Sequence, residues 1–387
     1  MSPGPTRRRA VVGGVAAVGG AAALGGVSTL AAAAYFARKI LTPDQLRPDD
    51  TEILRVEGDT VVLGESPETV VPGRYGLWLD QGAGHARVGG ILERDRVRGE
   101  VRRVLRGVDY GTLRPGPARW NQYYFGSPPD QSLGLESHNV EVGNPLGPMP
   151  AWLVPAQDSG RWAILVHGRG ARREECLRAL PALHDAGITA LVPAYRNDGD
   201  APAGPDGHYG LGLSEWHDID RATRFAVENG ARELILFGWS MGAAIVLQLL
   251  DQSELRRRVS RVVLDAPVID WVDVLAHHAR LNSVPAPVGV LSRMLMAHPH
   301  ARRLVGVQEA VDVARTNWVA RADELRHRIL LIHSLDDEFV PVGPSQALAR
   351  ARPDLVDFVP WHIARHCKEW NVDPMRWERL VADFVSD

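Results

Sequence analysis

The stretch Leu234–Gly242 reads LILFGWSMG, and it decides the fold. Its first four residues form an apolar run typical of a strand buried on both faces. Gly238, Ser240 and Gly242 follow at the spacing Gly-x-Ser-x-Gly, and the apolar run Ala243–Leu250 predicts a helix. A strand that turns sharply into a helix exposes the serine hydroxyl, and only small residues two places on either side avoid clashes. Ser240 is therefore the candidate nucleophile, with elbow glycines around it.

A second turn supplies candidate groups for stabilising negative charge. The segment His167–Gly170 directly follows the apolar run Trp162–Val166, which predicts a strand. A reacting carbonyl oxygen needs two backbone N–H groups beside the nucleophile. The helix N-terminus after Ser240 presents one such group, on Met241, and we predict that Arg169 presents the other. A tight turn at a strand end is the structural alternative for His167–Gly170.

The wider chain divides into segments of different character. From about residue 138 to residue 387, strands alternate with helices, which predicts an α/β class with a mostly parallel sheet covered on both faces. An insertion at about residues 270–324 contains helix-like stretches. Residues 41–137 predict a small β-rich domain of unknown role. Within it, Val97–Val108 alternates apolar and basic residues, which predicts an edge strand or a short helix with a solvated basic face.

Three motifs together resemble the α/β-hydrolase superfamily over roughly residues 138–387. They are His167–Gly170, Tyr195–Gly199 and Gly238–Gly242. Within the superfamily, the sequence is similar to Bem46-like and serine-aminopeptidase-like hydrolases, and to uncharacterised membrane-anchored hydrolases of actinobacteria. The resemblance implies an α/β-hydrolase fold in which the 270–324 insertion is a helical cap that shapes the substrate pocket. The apolar residues of this insertion predict an apolar interior.

The resemblance also implies the chain order nucleophile, acid, histidine. Residues 332–341 look like the acid loop of the superfamily, whose aspartate lies four residues before a proline; this gives Asp337 the role. The loop departs from the usual form because Ser334 replaces a glycine and Asp336 adds a carboxylate. Asp265, at the end of another predicted strand, is a third candidate. The proline two residues after Asp265 favours a strand-end or hinge role for that part of the chain.

The segment 364–371 looks like the histidine loop of the superfamily, which makes His366 the expected base. His362 is its rival, closer to the strand end. Serine is a poor nucleophile at neutral pH, so an imidazole must take its proton, and a carboxylate must hold the imidazole in the correct tautomer. Cys367 is interpreted as a packed neighbour of this loop.

These residues predict hydrolysis of an ester, thioester or amide through an acyl-enzyme, on a small-molecule or peptide substrate. A membrane-anchored peptidase is the alternative within the enzyme class, because the resemblance includes aminopeptidase-like members. A catalytically silent binding or scaffold protein is the alternative outside it. The mechanism requires no cofactor, and the sequence predicts no oligomeric state.

Composition restricts the remaining possibilities. A formal net charge of -3 gives no electrostatic footprint for nucleic acid. Two cysteines, Cys176 and Cys367, cannot build a disulfide framework. The histidines at 277, 278, 298 and 300 have no carboxylate at a recognisable ligand spacing, so we predict no metal site.

The N-terminal 40 residues predict an anchor in a lipid bilayer. Arg7–Arg9 precede the uncharged run Ala10–Ala37, and Arg38 and Lys39 close it. The run exceeds the ~20 residues that cross a hydrocarbon core. We interpret it as a retained single-pass helix, with the catalytic domain outside the cytoplasm. A cleaved export signal and a soluble flexible tail are the alternatives.

Overall fold

Two β-sheets organise the folded chain. The computed structural model describes residues 28–43, 48–157 and 160–386. Within these residues, six strands close into a barrel and eight strands form one larger sheet. Helices cover the larger sheet, so the predicted α/β class is confirmed.

The barrel is built from the N-terminal strands, and every pairing in it is antiparallel. Its apolar centre contains Leu63, Leu77, Val88 and Trp120. The first strand pairs with both the second and the sixth, and this closure leaves no unpaired strand edge. The strands are β1 (Thr51–Glu57), β2 (Thr60–Gly64), β3 (Tyr75–Leu79), β4 (Gly84–Asp95), β5 (Glu100–Tyr110) and β6 (Gly116–Asn121).

The basic stretch of the barrel differs from its predicted form. Most of Val97–Val108 lies in β5, which pairs with β2 on one side and β4 on the other, so the prediction of an edge strand or a short helix is wrong. Arg103 on this strand is fully buried. Its guanidinium donates to four carbonyl oxygens, those of Gly89, Thr69, Val71 and Gly73, at 2.8–2.9 Å. These acceptors replace water, which makes burial of the cation tolerable.

The larger sheet is built from β7 (His138–Val142), β8 (Met149–Val154), β9 (Arg161–Val166), β10 (Thr189–Pro193), β11 (Glu233–Trp239), β12 (Val259–Asp265), β13 (Arg328–Ser334) and β14 (Val356–Trp361). Their order across the sheet is β14-β13-β12-β11-β9-β10-β8-β7. The six strands from β9 onward run parallel, and β8 and β7 add an antiparallel edge. The carboxyl ends of the parallel strands therefore meet at one edge, where ligands bind in such sheets.

Helices lie against this sheet or between its strands. The helix that follows β11 is apolar almost throughout and is buried along most of its length, as its central position requires. The helices are α1 (28–41), α2 (Pro129–Leu133), α3 (Leu180–Asp185), α4 (Trp216–Glu228), α5 (Met241–Gln252), α6 (Trp271–Leu281), α7 (Ala286–Ala297), α8 (Arg302–Val305), α9 (Gly343–Ala351), α10 (Glu369–Val372) and α11 (Pro374–Ser386).

Helix α1 packs on the insertion between β12 and β13, which contains α6, α7 and α8. Ala33 and Ala37, four residues apart and so on one face, are fully buried in the main core. The Ser292 hydroxyl donates to the Ala33 carbonyl (2.9 Å), and the Arg38 guanidinium donates to the Val305 carbonyl (3.3 Å). Residues 28–41 are therefore part of the folded domain.

This packing corrects the predicted anchor. Its last ten residues, 28–37, lie in α1, where small side chains serve helix packing within the protein. In the part of the chain that the structure describes, no helix combines the length and the apolar character needed to cross a membrane. The rest of the predicted run, residues 10–27, lies outside the described residues.

Candidate active site

The turn between β11 and α5 has the geometry that its sequence predicts. Ser240 has a φ of 51°, in the left-handed region. A Cβ atom on Gly238 would lie 2.5 Å from the Cα of Ala243, and one on Gly242 would lie 2.1 Å from the carbonyl oxygen of Val166. Both positions therefore exclude any side chain, which accounts for the two glycines.

Three loops at the carboxyl ends of β11, β13 and β14 bring the predicted catalytic residues together. The Nε2 atom of His366 lies 3.0 Å from the Ser240 hydroxyl oxygen. The Nδ1 atom of His366 lies 2.7 Å from Oδ2 of Asp337. This arrangement can pass a proton from Ser240 to His366 while Asp337 holds the ring.

The Asp337 carboxylate is fixed by four donors. Its Oδ1 accepts the N–H groups of Phe339 and Val340, both at 2.8 Å. Its Oδ2 faces His366 and also His333, whose Nε2 lies 3.2 Å away. Burial opposes ionisation of this carboxyl, but the charge of His366 and the hydrogen bonds from His333 and His366 outweigh it. The pKa of Asp337 consequently lies well below its usual range.

The rival residues lie elsewhere. Asp265 accepts a hydrogen bond from Nε1 of Trp377 at 2.8 Å, and Asp336 accepts one from the Ser334 hydroxyl. His362 is exposed to solvent. Cys367 is buried, with its sulfur 3.6 Å from Nε2 of His366, closer to the base than the sequence indicated. Burial raises the pKa of its thiol well above the usual value, which suppresses the reactive thiolate.

The loop after β9 also lies next to Ser240. A Cβ atom on Gly168 would lie 3.2 Å from the Cβ of Ser240. The N–H of Gly168 donates to Oε2 of Glu175 (2.7 Å), and that of Gly170 donates to the Tyr209 hydroxyl (3.2 Å). The predicted donor residue Arg169 lies between them, and its guanidinium donates to carbonyls at the end of α1.

Comparison with known proteins identifies the larger domain. A model described as "Alpha/beta hydrolase family" matches residues 163–383, more than half of the chain. The chain belongs to the alpha/beta hydrolase family. Its predicted membership in this superfamily is confirmed, and the protein is a hydrolase; the Bem46-like branch stays a prediction. Residues 52–121 of the barrel match a domain of unknown function (DUF8805). No curated protein matches the chain.

Solved structures similar to this hydrolase include an esterase from Pyrococcus furiosus. Its P212121 crystal form is 19% identical, with a TM-score of 0.51 over 66% of this chain and 92% of the esterase. Its P21 form has the same identity and TM-score over 67% and 96%. A CIB-like hydrolase from Thermoplasma acidophilum is 16% identical, with a TM-score of 0.46 over 65% and 99%. At 19% identity the likeness to the Pyrococcus furiosus esterase shows the fold alone.

A buried ionic cluster beneath the histidine loop of the hydrolase was not predicted. Arg178 pairs with Glu175 (3.2 Å) and donates to the carbonyl of Cys367 (2.7 Å). Glu369 accepts the N–H of Ser334 (2.9 Å) and lies beside Asp265. Burial and the neighbouring Asp265 carboxylate raise the pKa of Glu369 well above its usual range. Charged residues in a segment that is predicted to be helical are usually exposed to solvent, so the sequence does not predict this buried cluster.

We expect Glu369→Gln to stabilise the hydrolase, and more so as pH rises. Unfolded Glu369 ionises near pH 4.3, and ionisation lowers the free energy of the unfolded state as pH rises. The folded state is not stabilised in this way until the pH reaches its own raised pKa, so the wild type loses stability over that range. Glutamine avoids this loss and keeps an acceptor for Ser334 and a donor for Asp265. The difference in the free energy of unfolding between the variant and the wild type should be larger at pH 8 than at pH 5, by at most about 1.4 kcal/mol per pH unit. A pH-independent difference, or the same trend for the exposed control Glu136→Gln, would contradict this.

The barrel forms one wall of the cleft at the candidate active site. The cleft measures about 560 Å³ and includes Ser240 and His366 in its lining. Among the described residues, none from the 270–324 insertion lines it, so the prediction that the cap shapes this pocket is wrong for this cleft. The apolar residues of the insertion instead pack with α1. The barrel lines the cleft with Glu68, Trp78, Gln81, Gly82, Arg119, Asn121, Gln122 and Tyr123, the last two just beyond β6.

Proposed function

We propose that this hydrolase cleaves an ester, thioester or amide bond through an acyl-enzyme on Ser240. The observation that carries the proposal is the pair of hydrogen bonds joining Ser240 to His366 (3.0 Å) and His366 to Asp337 (2.7 Å). The Ser240 oxygen attacks the carbonyl carbon while Nε2 of His366 takes its proton. The proton then passes to the leaving group, and water repeats the sequence to release the acid.

Two backbone donors stabilise the tetrahedral intermediate in this proposal. Met241 opens α5, so its N–H is among the first in the helix, which have no intrahelical acceptor. Arg169 follows Gly168, the residue packed against Ser240. The positive end of the helix dipole adds to the attraction for the negative oxygen. All of these groups come from the chain itself, so the proposed chemistry uses no cofactor.

The proposed function is tested by labelling the full-length protein with a fluorophosphonate probe and locating the adduct by mass spectrometry. We expect the adduct on Ser240, together with turnover of p-nitrophenyl esters. Aminoacyl p-nitroanilides test the peptidase alternative in the same assay. A protein that neither labels nor turns over any of these substrates would be the binding or scaffold protein instead.

We also propose that residues 10–27 hold the hydrolase at a membrane, with the catalytic domain on the extracytoplasmic side. These 18 residues are uncharged and follow Arg7–Arg9. This number of uncharged residues is close to the roughly 20 that a membrane-spanning segment needs. We expect the full-length protein to sediment with membranes and to resist carbonate extraction. Release of the intact, uncleaved chain by carbonate would refute the anchor.

A further inference from the structure

The segment Tyr195–Gly199 follows β10 and contacts the loop after β9. The Tyr195 hydroxyl lies 2.9 Å from the carbonyl oxygen of Gly168 and 3.3 Å from that of His167, so Gly168 is its nearer acceptor. The rings of Tyr195 and His167 stack, with 4.4 Å between their centroids. The N–H of Tyr195 donates to Oδ2 of Asp198 (2.9 Å), which closes the turn. Through Tyr195, this segment therefore reaches the carbonyl of Gly168 directly.

His167 links the same segment to the same carbonyl by a second route. Its Nδ1 lies 3.0 Å from the Gly168 oxygen, and its Nε2 lies 2.9 Å from Oδ2 of Asp198. Because a carbonyl oxygen only accepts hydrogen bonds, Nδ1 carries a proton and donates it. The Asp198 carboxyl group, on the far side of the ring, holds the imidazole in the orientation that this bond needs.

These two donors fix the direction of one peptide group. The carbonyl of Gly168 and the N–H of Arg169 belong to the same planar trans peptide, so they point in opposite directions. His167 and Tyr195 are fully buried, and neither lines the cleft. Gly168, Arg169 and Ser240 all line it. The carbonyl therefore points into the interior, and the N–H of Arg169 points away from it, toward the side of the cleft.

The backbone of the loop itself holds this carbonyl less closely. The N–H of Ala171 donates to the Gly168 oxygen at 3.3 Å, a longer bond than those from Tyr195 and His167. The peptide that carries the Arg169 N–H thus depends on the two side chains for its orientation. Donors on a carbonyl also polarise the peptide, which strengthens the hydrogen bond that its N–H makes.

We propose that Tyr195 and Asp198, the latter through His167, are positioning residues that aim the Arg169 N–H at the oxyanion. This inference rests on the proposed acyl-enzyme at Ser240. It gives the segment Tyr195–Gly199 a part in the reaction, which is to support the oxyanion donor through the carbonyl of Gly168.

The first experiment replaces His167 with two amides of different length in the full-length protein. His167→Asn places an amide nitrogen near the position of Nδ1 and can still donate to Gly168. His167→Gln places it near Nε2 and can still donate to Asp198. Loss of a whole oxyanion donor lowers kcat by about 100- to 1,000-fold, and a misdirected donor should cost less. For a p-nitrophenyl ester we expect kcat to fall by about 10- to 100-fold in His167→Gln and by less than about 10-fold in His167→Asn.

The second experiment is Tyr195→Phe, which removes one oxygen and keeps the ring that stacks on His167. We expect kcat to fall by about 10-fold, since His167 still donates to the carbonyl. KM should stay within about two-fold, because the donor acts on charge that forms only in the transition state. The matched control is Tyr75→Phe, which removes the hydroxyl of another fully buried tyrosine. That hydroxyl donates to the carbonyl of Pro72 in the barrel (3.1 Å), and kcat should stay within about two-fold of the wild type.

Three results would overturn the positioning role. They are a wild-type kcat in Tyr195→Phe, an equal fall in Tyr75→Phe, and a loss confined to KM. An equal fall in His167→Asn and His167→Gln, with wild-type thermal stability in both, would overturn the route through His167. If the His167 variants do not fold, Tyr195→Phe decides the outcome. A wild type that neither labels with the fluorophosphonate probe nor turns over any ester would overturn the proposed function instead, so the two failures are distinct.

Discussion

Ser240→Ala is expected to lower the turnover of an activated ester by about four to six orders of magnitude. The substitution removes the attacking oxygen, and the remaining rate comes from the oxyanion donors and from binding. Ser240 has its Cβ 3.2 Å from the Cβ position of Gly168, and alanine keeps that atom. The measurement is steady-state kinetics together with probe labelling, and thermal unfolding should be close to that of the wild type.

Cys367 provides the matched control for this result. Its sulfur lies 3.6 Å from Nε2 of His366, so it is the other nucleophilic atom beside the base. We expect Cys367→Ala to keep labelling and most turnover, because the buried thiol has a raised pKa. If Ser240→Ala kept its labelling and the double variant Ser240→Ala/Cys367→Ala lost it, Cys367 would be the nucleophile instead.

Asp337→Asn is expected to lower turnover by up to about four orders of magnitude. An asparagine amide at this position can donate to Nδ1 of His366, which would move the ring proton to Nε2. The imidazole could then no longer accept the proton of Ser240. Because the same carboxylate accepts the N–H groups of Phe339 and Val340, the folded state should be checked by thermal unfolding.

Two neighbouring carboxylates serve as controls for Asp337. Asp336→Asn changes an exposed residue whose contact is with Ser334, so activity should stay within a few-fold of the wild type. Asp265→Asn should keep most activity in whatever fraction folds, because Asp265 contacts Trp377 and not His366. An inactive Asp265→Asn variant with normal thermal stability would move the orienting role to β12.

The elbow was predictable because its requirements are local. Gly238, Ser240 and Gly242 lie within one strand–turn–helix unit, and the apolar run of β11 marks where the turn falls. Much of the close packing that excludes a side chain at Gly238 comes from the next helical turn. The acid and the histidine could be identified only through resemblance, since nothing local to Asp337 or His366 shows that they meet across 29 residues of chain.

Other features depend on contacts that sequence patterns do not encode. Arg103 is buried because carbonyls from two separate segments of the barrel surround it, although an arginine in a basic stretch is ordinarily solvated. The run of small residues ending at Ala37 fits packing in a lipid bilayer and packing in a protein core equally well. Its last part packs on the insertion, and among the described residues the barrel contributes to the wall of the cleft while the insertion does not.

The end of α1 has a consequence for how the protein can mature. The Arg169 guanidinium donates to the carbonyls of Ile40 (3.1 Å) and Thr42 (2.8 Å). The N–H of Tyr209 donates to the carbonyl of Leu41 (2.8 Å). A peptidase that removed a leader up to Tyr35 would therefore cut α1 between its two buried alanines and loosen the loop beside Ser240. Processing that leaves α1 whole must fall before residue 28.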